Sequence, residues 1–275
     1  MKIHHLNCGS MCPSKIKFGN IFGPLSGIVP DNIVCHCLLI EAQNNLILVD
    51  TGIGREDLKF QKLIQPVSLL LGVKADKQLT AYEQVKKLGY SPEDVTDLIL
   101  THLDFDHAGG IADFKSAKVH VAKPELESAR SGRSPLEKGR YRKYQFSSAI
   151  KWQEFEMNFG EPWNGFETVR EIQGLPPEIL LVQLPGHSKG HFGIAVQMSD
   201  KCLLHAGDSY YDRRELNSTA IPPLWTMAVE RIANSNFVQS QKTKSHLASL
   251  SLNPRIELFC SHDSKELDRF KLIQA

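Results

Sequence analysis

The sequence has no apolar run approaching the roughly 18 to 20 residues that a membrane-crossing helix needs, which excludes a helical membrane span. It has no excess of either charge: 32 Lys and Arg stand against 31 Asp and Glu, a formal net charge of +1. Without a global field, attraction to nucleic acid or to an anionic membrane has to come from a local patch, and neither is expected as a partner. Nor are the cysteines framed. Cys8, Cys12, Cys35, Cys37, Cys202 and Cys260 are scattered through 275 residues, whereas a small disulfide-stapled domain crowds them. Cys8 with Cys12, and Cys35 with Cys37, are spaced like metal-binding pairs but lack a matching second pair, so they read as buried apolar thiols. The opening MKIHHLNCGSMCP has one early lysine and no apolar stretch of the secretory kind. Reduced thiols and no secretory signal lead to the expectation of a cytoplasmic protein. Tandem self-similarity at a spacing of about 20 to 50 residues is missing too, which argues against a repeat architecture.

What is there is length enough for one large core, and a single domain over residues 1–275 is expected. Residues 34–40 (VCHCLLI) and 45–50 (NLILVD), joined by a polar turn, read as a β-hairpin. Residues 79–88 carry apolar positions at helical spacing, with Gly89 as a stop. DLILT then reads as a short, wholly apolar strand, AKVHVA as another, and a helix opens at Pro124. The basic stretch 130–143 is rich in turn formers and reads as a loop or short helices. ILLVQL, HFGIAVQM and CLLHAG read as strands, residues 226–250 as one or two helices, RIELFC as a last strand, and SKELDRFKL as a terminal helix capped by Ser264.

Chemistry-bearing residues gather where these strands end. THLDFDHAGG (101–110) places His102, Asp104, Asp106 and His107 just past DLILT. His187 follows another strand in PGHSKGH, Asp208 follows a third in AGDSYY, and His262 follows the last in CSHD. One such segment means little. Four of them, each beside Gly, Ser or Thr at a strand's carboxyl end, imply convergence on one edge, where open α/β sheets place their ligands.

These segments, together with VDTG at 49–52, resemble the metallo-β-lactamase superfamily along nearly the whole chain. The resemblance implies an α+β fold, a four-layer αββα sandwich, with two divalent metal ions held between loops at one edge of the sheets. Carried over residue by residue, it implies a first ion on His102, Asp104 and His187, a second on Asp106, His107 and His262, and Asp208 bridging both. Zinc takes imidazole nitrogen and carboxylate oxygen at about 2.0 to 2.2 Å. Two ions about 3.5 to 4 Å apart lower the pKa of a shared water from 15.7 toward roughly 7 and provide hydroxide at neutral pH. Asp104 departs from the pattern, since most of the superfamily has a second histidine there. It makes the first ion's shell harder and more anionic, which moves preference from zinc toward iron, manganese or cobalt. The flavodiiron branch has Glu at this position, but this chain lacks the flavodoxin-like domain of those proteins.

Other residues take plainer readings. Asp50 in VDTG is expected to orient ligands through hydrogen bonds, and His191 to be a hydrogen-bonded neighbour of His187. The resemblance to acyl-homoserine-lactone lactonases makes Tyr211 a catalytic residue that stabilises the oxyanion, with Tyr210 competing for that role. It leaves Asp106 to relay a proton to the leaving oxygen. His4, His5, His36, His120, His205 and His246 have no motif around them and read as surface or satisfied strand histidines. Trp152, Phe155, Phe159, Trp163 and Phe166 fall every three or four residues and read as a helical stripe, a core or homodimer contact before a substrate wall. They lie within residues 124–178, where this superfamily builds a substrate-facing insertion. The basic run from Arg130 to Lys143, interrupted by Glu137, reads as a solvated loop before a phosphate or RNA contact.

The function these readings favour is a dinuclear metal hydrolase cleaving an ester or lactone of a small molecule by a metal-bridging hydroxide. Phosphodiester or phosphotriester cleavage, or ribonuclease Z-like hydrolysis, is the alternative. A diiron redox protein and a non-catalytic metal scaffold rank below both.

Overall fold

The computed structural model describes residues 1–13, 28–30, 32–59, 71–146, 150–156, 160–217 and 219–274. Two six-stranded sheets make up its centre. The first runs in the order β1 (Lys2–Met11), β2 (Ile33–Ala42), β3 (Asn45–Val49), β4 (Asp97–Ile99), β5 (Lys118–Ala122) and β6 (Lys151–Phe155). Its first three strands are antiparallel and the rest parallel. The second sheet runs β12 (Ile256–Phe259), β11 (Cys202–His205), β10 (Phe192–Gln197), β9 (Ile179–Gln183), β8 (Phe166–Glu171) and β7 (Glu161–Trp163). All of its pairs are antiparallel except β11 with β12.

Strand periodicity explains the layering. In β2 and β3, Leu38, Ile40, Ile47 and Val49 turn inward to meet Ile179, Leu181, Ile194 and Val196 of the other sheet. Their neighbours Cys37, Leu39, Leu46 and Leu48 turn outward, beneath Ala81 and Val85 of α2 (Ala81–Lys87) and Leu126 of α4 (Lys123–Ser131), which follow α1 (Arg55–Lys59) and α3 (Phe105–Ala108) in chain order. Strands buried on both faces need continuous apolar runs rather than alternation, which is why VCHCLLI and DLILT read as they do. On the far side, Val182, Leu204 and Leu258 pack under Leu247 and Leu250 of α7 (Phe237–Leu250), which follows α5 (Pro135–Arg140) and α6 (Leu224–Ala233). The terminal helix α8 (Ser264–Gln274) inserts Phe270 into the inter-sheet core. Helix, sheet, sheet and helix thus stack in the αββα order that the resemblance implies.

Two local readings are corrected. The aromatic stretch is not helical: Trp152 and Phe155 lie in β6, Trp163 in β7 and Phe166 in β8, and Phe159 lies outside the described residues. Asn164 and Gly165, at φ 47° and 86°, form the two-residue turn that pairs Trp163 with Phe166. Asn-Gly is the strongest short hairpin signal, and it outweighs a three-to-four-residue aromatic spacing. Nor does Ser264 cap the terminal helix. It is the helix's first residue, and the carboxylate of Asp263 accepts from the backbone N–H of Lys265 at 2.8 Å and of Glu266 at 3.3 Å.

Candidate metal centre

The chain leaves β4 and turns into α3 over five residues, 100–104. Leu103 and Phe105, between the polar positions of the motif, are buried in two different apolar clusters. They pin the loop while its histidines and aspartates face the other way. The backbone carbonyl of Asp104 opens α3 by accepting from Ala108 at 2.8 Å. The far anchor is Glu125 on α4, fully buried, whose carboxylate accepts from Leu103 N at 3.0 Å, Tyr141 Oη at 3.0 Å, Ser188 Oγ at 2.7 Å and Gly190 N at 3.0 Å. One side chain thus ties the His102 loop to the His187 loop. Nothing in the sequence singled it out, apart from its place in the first turn after Pro124.

Each imidazole is aimed by its Nδ1. That of His107 donates to Asp50 Oδ2 at 2.8 Å, and that of His262 to the Val34 carbonyl at 2.8 Å. His102 Nδ1 donates to Thr101 Oγ1 at 3.0 Å, which in turn donates to Asp50 at 2.9 Å. Asp50 therefore orients two histidines and does not face the centre, as expected. Burial raises its carboxyl pKa, but the adjacent His107 more than offsets this and holds it below the ordinary value. His187 Nδ1 donates to Asn234 Oδ1 at 3.2 Å, and that amide is fixed by its own bond to Ser240 at 2.8 Å. With every Nδ1 engaged, each Nε2 turns inward, and in the neutral ring it is the nitrogen that offers a lone pair.

The ligand-type atoms fall into two groups, His102, Asp104, His187 and Asp208, and Asp106, His107 and His262, each with its atoms within 4.8 Å of one another. Asp208 reaches both. Its Oδ1 lies 3.1 Å from His107 Nε2, and its Oδ2 lies 3.1 Å from His262 Nε2 and 3.7 Å from His187 Nε2. It is carried by Gly207, at φ 54°, where a Cβ would come 2.5 Å from His191 Nε2. His191 itself spends both nitrogens on protein, donating to the Leu184 carbonyl at 2.8 Å and accepting from Asp208 N at 2.9 Å. It supports the centre and has no lone pair for it.

The residues fit a pair of cations. Among the described residues, His102 Nε2, His107 Nε2, Asp104 Oδ1 and Asp208 Oδ1 are buried without a hydrogen-bond partner. Four such acceptors at one spot would be costly unless a cation engages them. The electrostatics agree. Burial disfavours charged His107 and His262, yet Asp208 beside them pushes both above the ordinary histidine range.

The tyrosines separate cleanly. Tyr210 is fully buried and donates to Glu266 at 3.1 Å, away from the centre. Tyr211 has its hydroxyl 3.2 Å from His187 Nδ1 and its ring stacked on His262 at 5.4 Å. Burial first, and then the charge of Asp208, push its pKa well up, so it stays protonated as a donor.

Arg140 departs from the reading of 130–143 as a solvated loop. Its side chain is 5% exposed, with Nη1 donating to His187 Nε2 at 2.9 Å and lying 3.2 Å from Asp104 Oδ2, and Nη2 donating to the Ala233 carbonyl. The capping box of α5, Ser134 with Glu137, sets the helix that turns Arg140 inward. Arg130 points elsewhere, 3.3 Å from Glu154. The run is therefore not one basic surface.

A cavity of about 680 Å³ opens over the centre, with Asp104, Asp106, His187, Asp208, Tyr211 and His262 at its base. Its apolar lining includes Val29, Ile33, Phe105, Val229, Ile232 and Trp225, the last packed against the cluster that holds Ile33 and Phe105. From residues 124–178 it takes only Pro135, Gly139, Arg140 and Arg142 among the described residues, and none of the aromatic stretch.

Two stacked sheets that deliver paired imidazole and carboxylate groups to one edge define a class, the αββα metal-binding sandwich. The sequence matches the metallo-beta-lactamase superfamily over residues 30–232, and the chain belongs to that superfamily. A probable metallo-hydrolase of Mycobacterium tuberculosis is 34% identical over 272 residues, 96% of this chain and 80% of that protein. An N-acyl homoserine lactonase of Bacillus cereus is 26% identical over 181 residues, 63% of this chain and 62% of its own length. The solved structure of an N-acyl homoserine lactone hydrolase, with N-hexanoyl-L-homoserine at its catalytic metal centre, shares the fold. Its TM-score is 0.71 at 22% identity, covering 98% of this chain and 95% of that one.

Proposed function

We propose that the protein is a dinuclear metal-dependent hydrolase that cleaves an ester or lactone of a small molecule. His102, Asp104 and His187 would hold one ion and Asp106, His107 and His262 the other, with Asp208 between them. The observation that carries this reading is the shared Asp208, set among buried acceptors without hydrogen-bond partners at the base of a largely apolar cavity. The matched metallo-hydrolase and lactonase relatives support it. Imidazole and carboxylate donors suit zinc, and Asp104 makes iron, manganese and cobalt its competitors. Six free, buried cysteines suit a reducing compartment, and on that ground we place the protein in the cytoplasm.

Bound divalent ions supply Lewis acidity and a hydroxide at neutral pH. The protein's own groups do the rest. Tyr211, protonated and in contact with His187, donates to the carbonyl oxygen as negative charge develops on it. Asp106, its side chain 10% exposed and its Oδ2 3.7 Å from His262 Nε2, stands where it can pass the proton given up by the attacking water to the leaving oxygen. Elemental analysis of protein purified without added metal should give about two ions per chain. A panel of lactones, aryl esters and bis-p-nitrophenyl phosphate should show carbonyl substrates turned over fastest. A dominant phosphodiesterase activity would replace the reading.

A further inference from the structure

We propose that Arg140 is a specificity-determining residue, and that the ester or lactone cleaved here carries a second, anionic group, a carboxylate or a phosphate, which Arg140 receives. The inference rests on the hydrolase reading above and narrows its substrate class.

The first ground is position. A guanidinium held at the base of the cavity, 5% exposed, is not a solubilising surface charge. Its present partners are Asp104, the Nε2 of His187 and one backbone carbonyl. The His187 lone pair is one a metal ion would take, and an imidazole nitrogen cannot accept a proton donor and bind a cation at once. With that acceptor engaged, an Arg140 N–H is left facing the cavity, while Asp104 still anchors the fork.

The second ground is charge. The cavity is bordered by five carboxylates, and none is spare. Asp104, Asp106 and Asp208 belong to the centre. Asp212 is paired with Arg214 at 2.6 Å, and Asp263 caps α8 and accepts from Arg213 N at 2.9 Å. Arg142, Arg213 and Lys265 also border the cavity, and none of them makes an ion pair with a carboxylate among the described residues. The Nε of Arg142 is buried with no hydrogen-bond partner there. A neutral acyl lactone would leave these cations without a counter-charge. A carboxylate or phosphate matches the planar fork of arginine in shape and sign. Trp225, Val229 and Ile232 of α6, the helix whose Ala233 carbonyl Arg140 also holds, line the same cavity with apolar surface, so the substrate is amphipathic, with an apolar body and an anionic end.

The test compares three esters of similar length on the metal-loaded protein: p-nitrophenyl hexanoate, mono-p-nitrophenyl adipate, and the p-nitrophenyl ester of 6-phosphohexanoic acid. The expected result is a preference of about tenfold or more in kcat/KM for an anionic ester, expressed in KM, with the better of the two naming the anion. Arg140→Gln should collapse the preference, its loss on the anionic ester exceeding that on the hexanoate ester about tenfold. Arg140→Lys keeps a charge against Asp104 without the fork, and should retain part of the preference and a full complement of metal. Calorimetric titration with adipate and with hexanoate reads the same discrimination without turnover. If no ester is cleaved, the hydrolase reading fails, and calorimetry alone decides on Arg140. Equal KM values for neutral and anionic esters, or equal losses on both in the Arg140 variants, would overturn the assignment and leave Arg140 as the counter-charge of Asp104.

Discussion

The protein contains two buried histidine clusters, and only one of them is built to hold ions. At the sheet edge, His102, His107, His187 and His262 each spend Nδ1 on a partner and converge through Nε2 on three carboxylates. Between the sheets, His5 and His36 share a hydrogen bond of 2.8 Å and His205 donates to the His36 carbonyl at 2.8 Å. Phe259 and Phe270 pack against this second set, with the His5 ring stacked 3.9 Å from that of Phe270. No carboxylate is hydrogen-bonded to it among the described residues. Burial lowers the pKa of all three; neighbouring charge adds to this for His5 and His36, while Asp50 opposes it without cancelling it for His205, and His5 falls to about 3. Buried imidazole alone therefore makes an apolar filler. Imidazole with convergent lone pairs and shared carboxylates makes a cation site.

The sharpest way to break that comparison is to remove the carboxylate that links the two ligand groups. Asp208→Ala should lower bound metal from about two ions per chain toward one or none. It should also cut kcat/KM by about a thousandfold or more, since each 1.36 kcal/mol of lost transition-state stabilisation is tenfold and a metal site contributes several. Metal analysis and rates on the same preparation check it. A variant that keeps both ions and full turnover would remove Asp208 from the centre.

Glu125 comes next, because it distinguishes a cluster that is merely close from one that is held. Glu125→Ala strands buried donors on both ligand loops and should cost roughly 3 kcal/mol of stability. Metal affinity should fall about 10- to 100-fold, as when other groups that support ligands are removed. Chelator competition and thermal unfolding separate the two effects. Tyr211→Phe should do less, lowering kcat about tenfold with metal content unchanged, because the ions share the oxyanion's charge. Tyr210→Phe is its control and should leave kcat untouched, since that hydroxyl serves Glu266.

The sequence carried the strands that end in ligands, because a strand buried on both faces writes its apolar run openly and the ligand motif follows each run. The layered fold and the division of ligands came from the resemblance, and both groupings recur in the geometry. Arg140 and Glu125 were not legible. Each acts across a tertiary approach, α5 onto the His187 loop and α4 onto two loops at once, and neither leaves a local periodic trace. Tyr210 and Tyr211 were indistinguishable because adjacent residues point opposite ways, and the phase depends on where α8 packs. The Asn164-Gly165 turn was legible, and the aromatic spacing misread it.

The smallest expected effect concerns the second cluster and its opposite response to acid. His5, His36 and His205 have folded pKa values below the unfolded value near 6.5, so the unfolded chain binds more protons wherever the pH is below that value. Their contribution to stability is complete above about pH 6.5 and is lost as pH falls toward the folded value, which for His5 is about 3. The slope approaches about 1.4 kcal/mol per pH unit for each histidine. In metal-free protein, His107 and His262 work in reverse: their raised values add stability at low pH and withdraw it as pH rises through them. His5→Phe keeps a ring beside Phe270 and should flatten the acid decline of stability between about pH 6 and 4 by up to one proton's worth. Chelator-treated protein, followed by denaturant unfolding at several pH values, reads both slopes. An unchanged slope in His5→Phe would mean that the inter-sheet histidines take up their protons without unfolding the protein, and the contrast between the two clusters would lose its electrostatic basis.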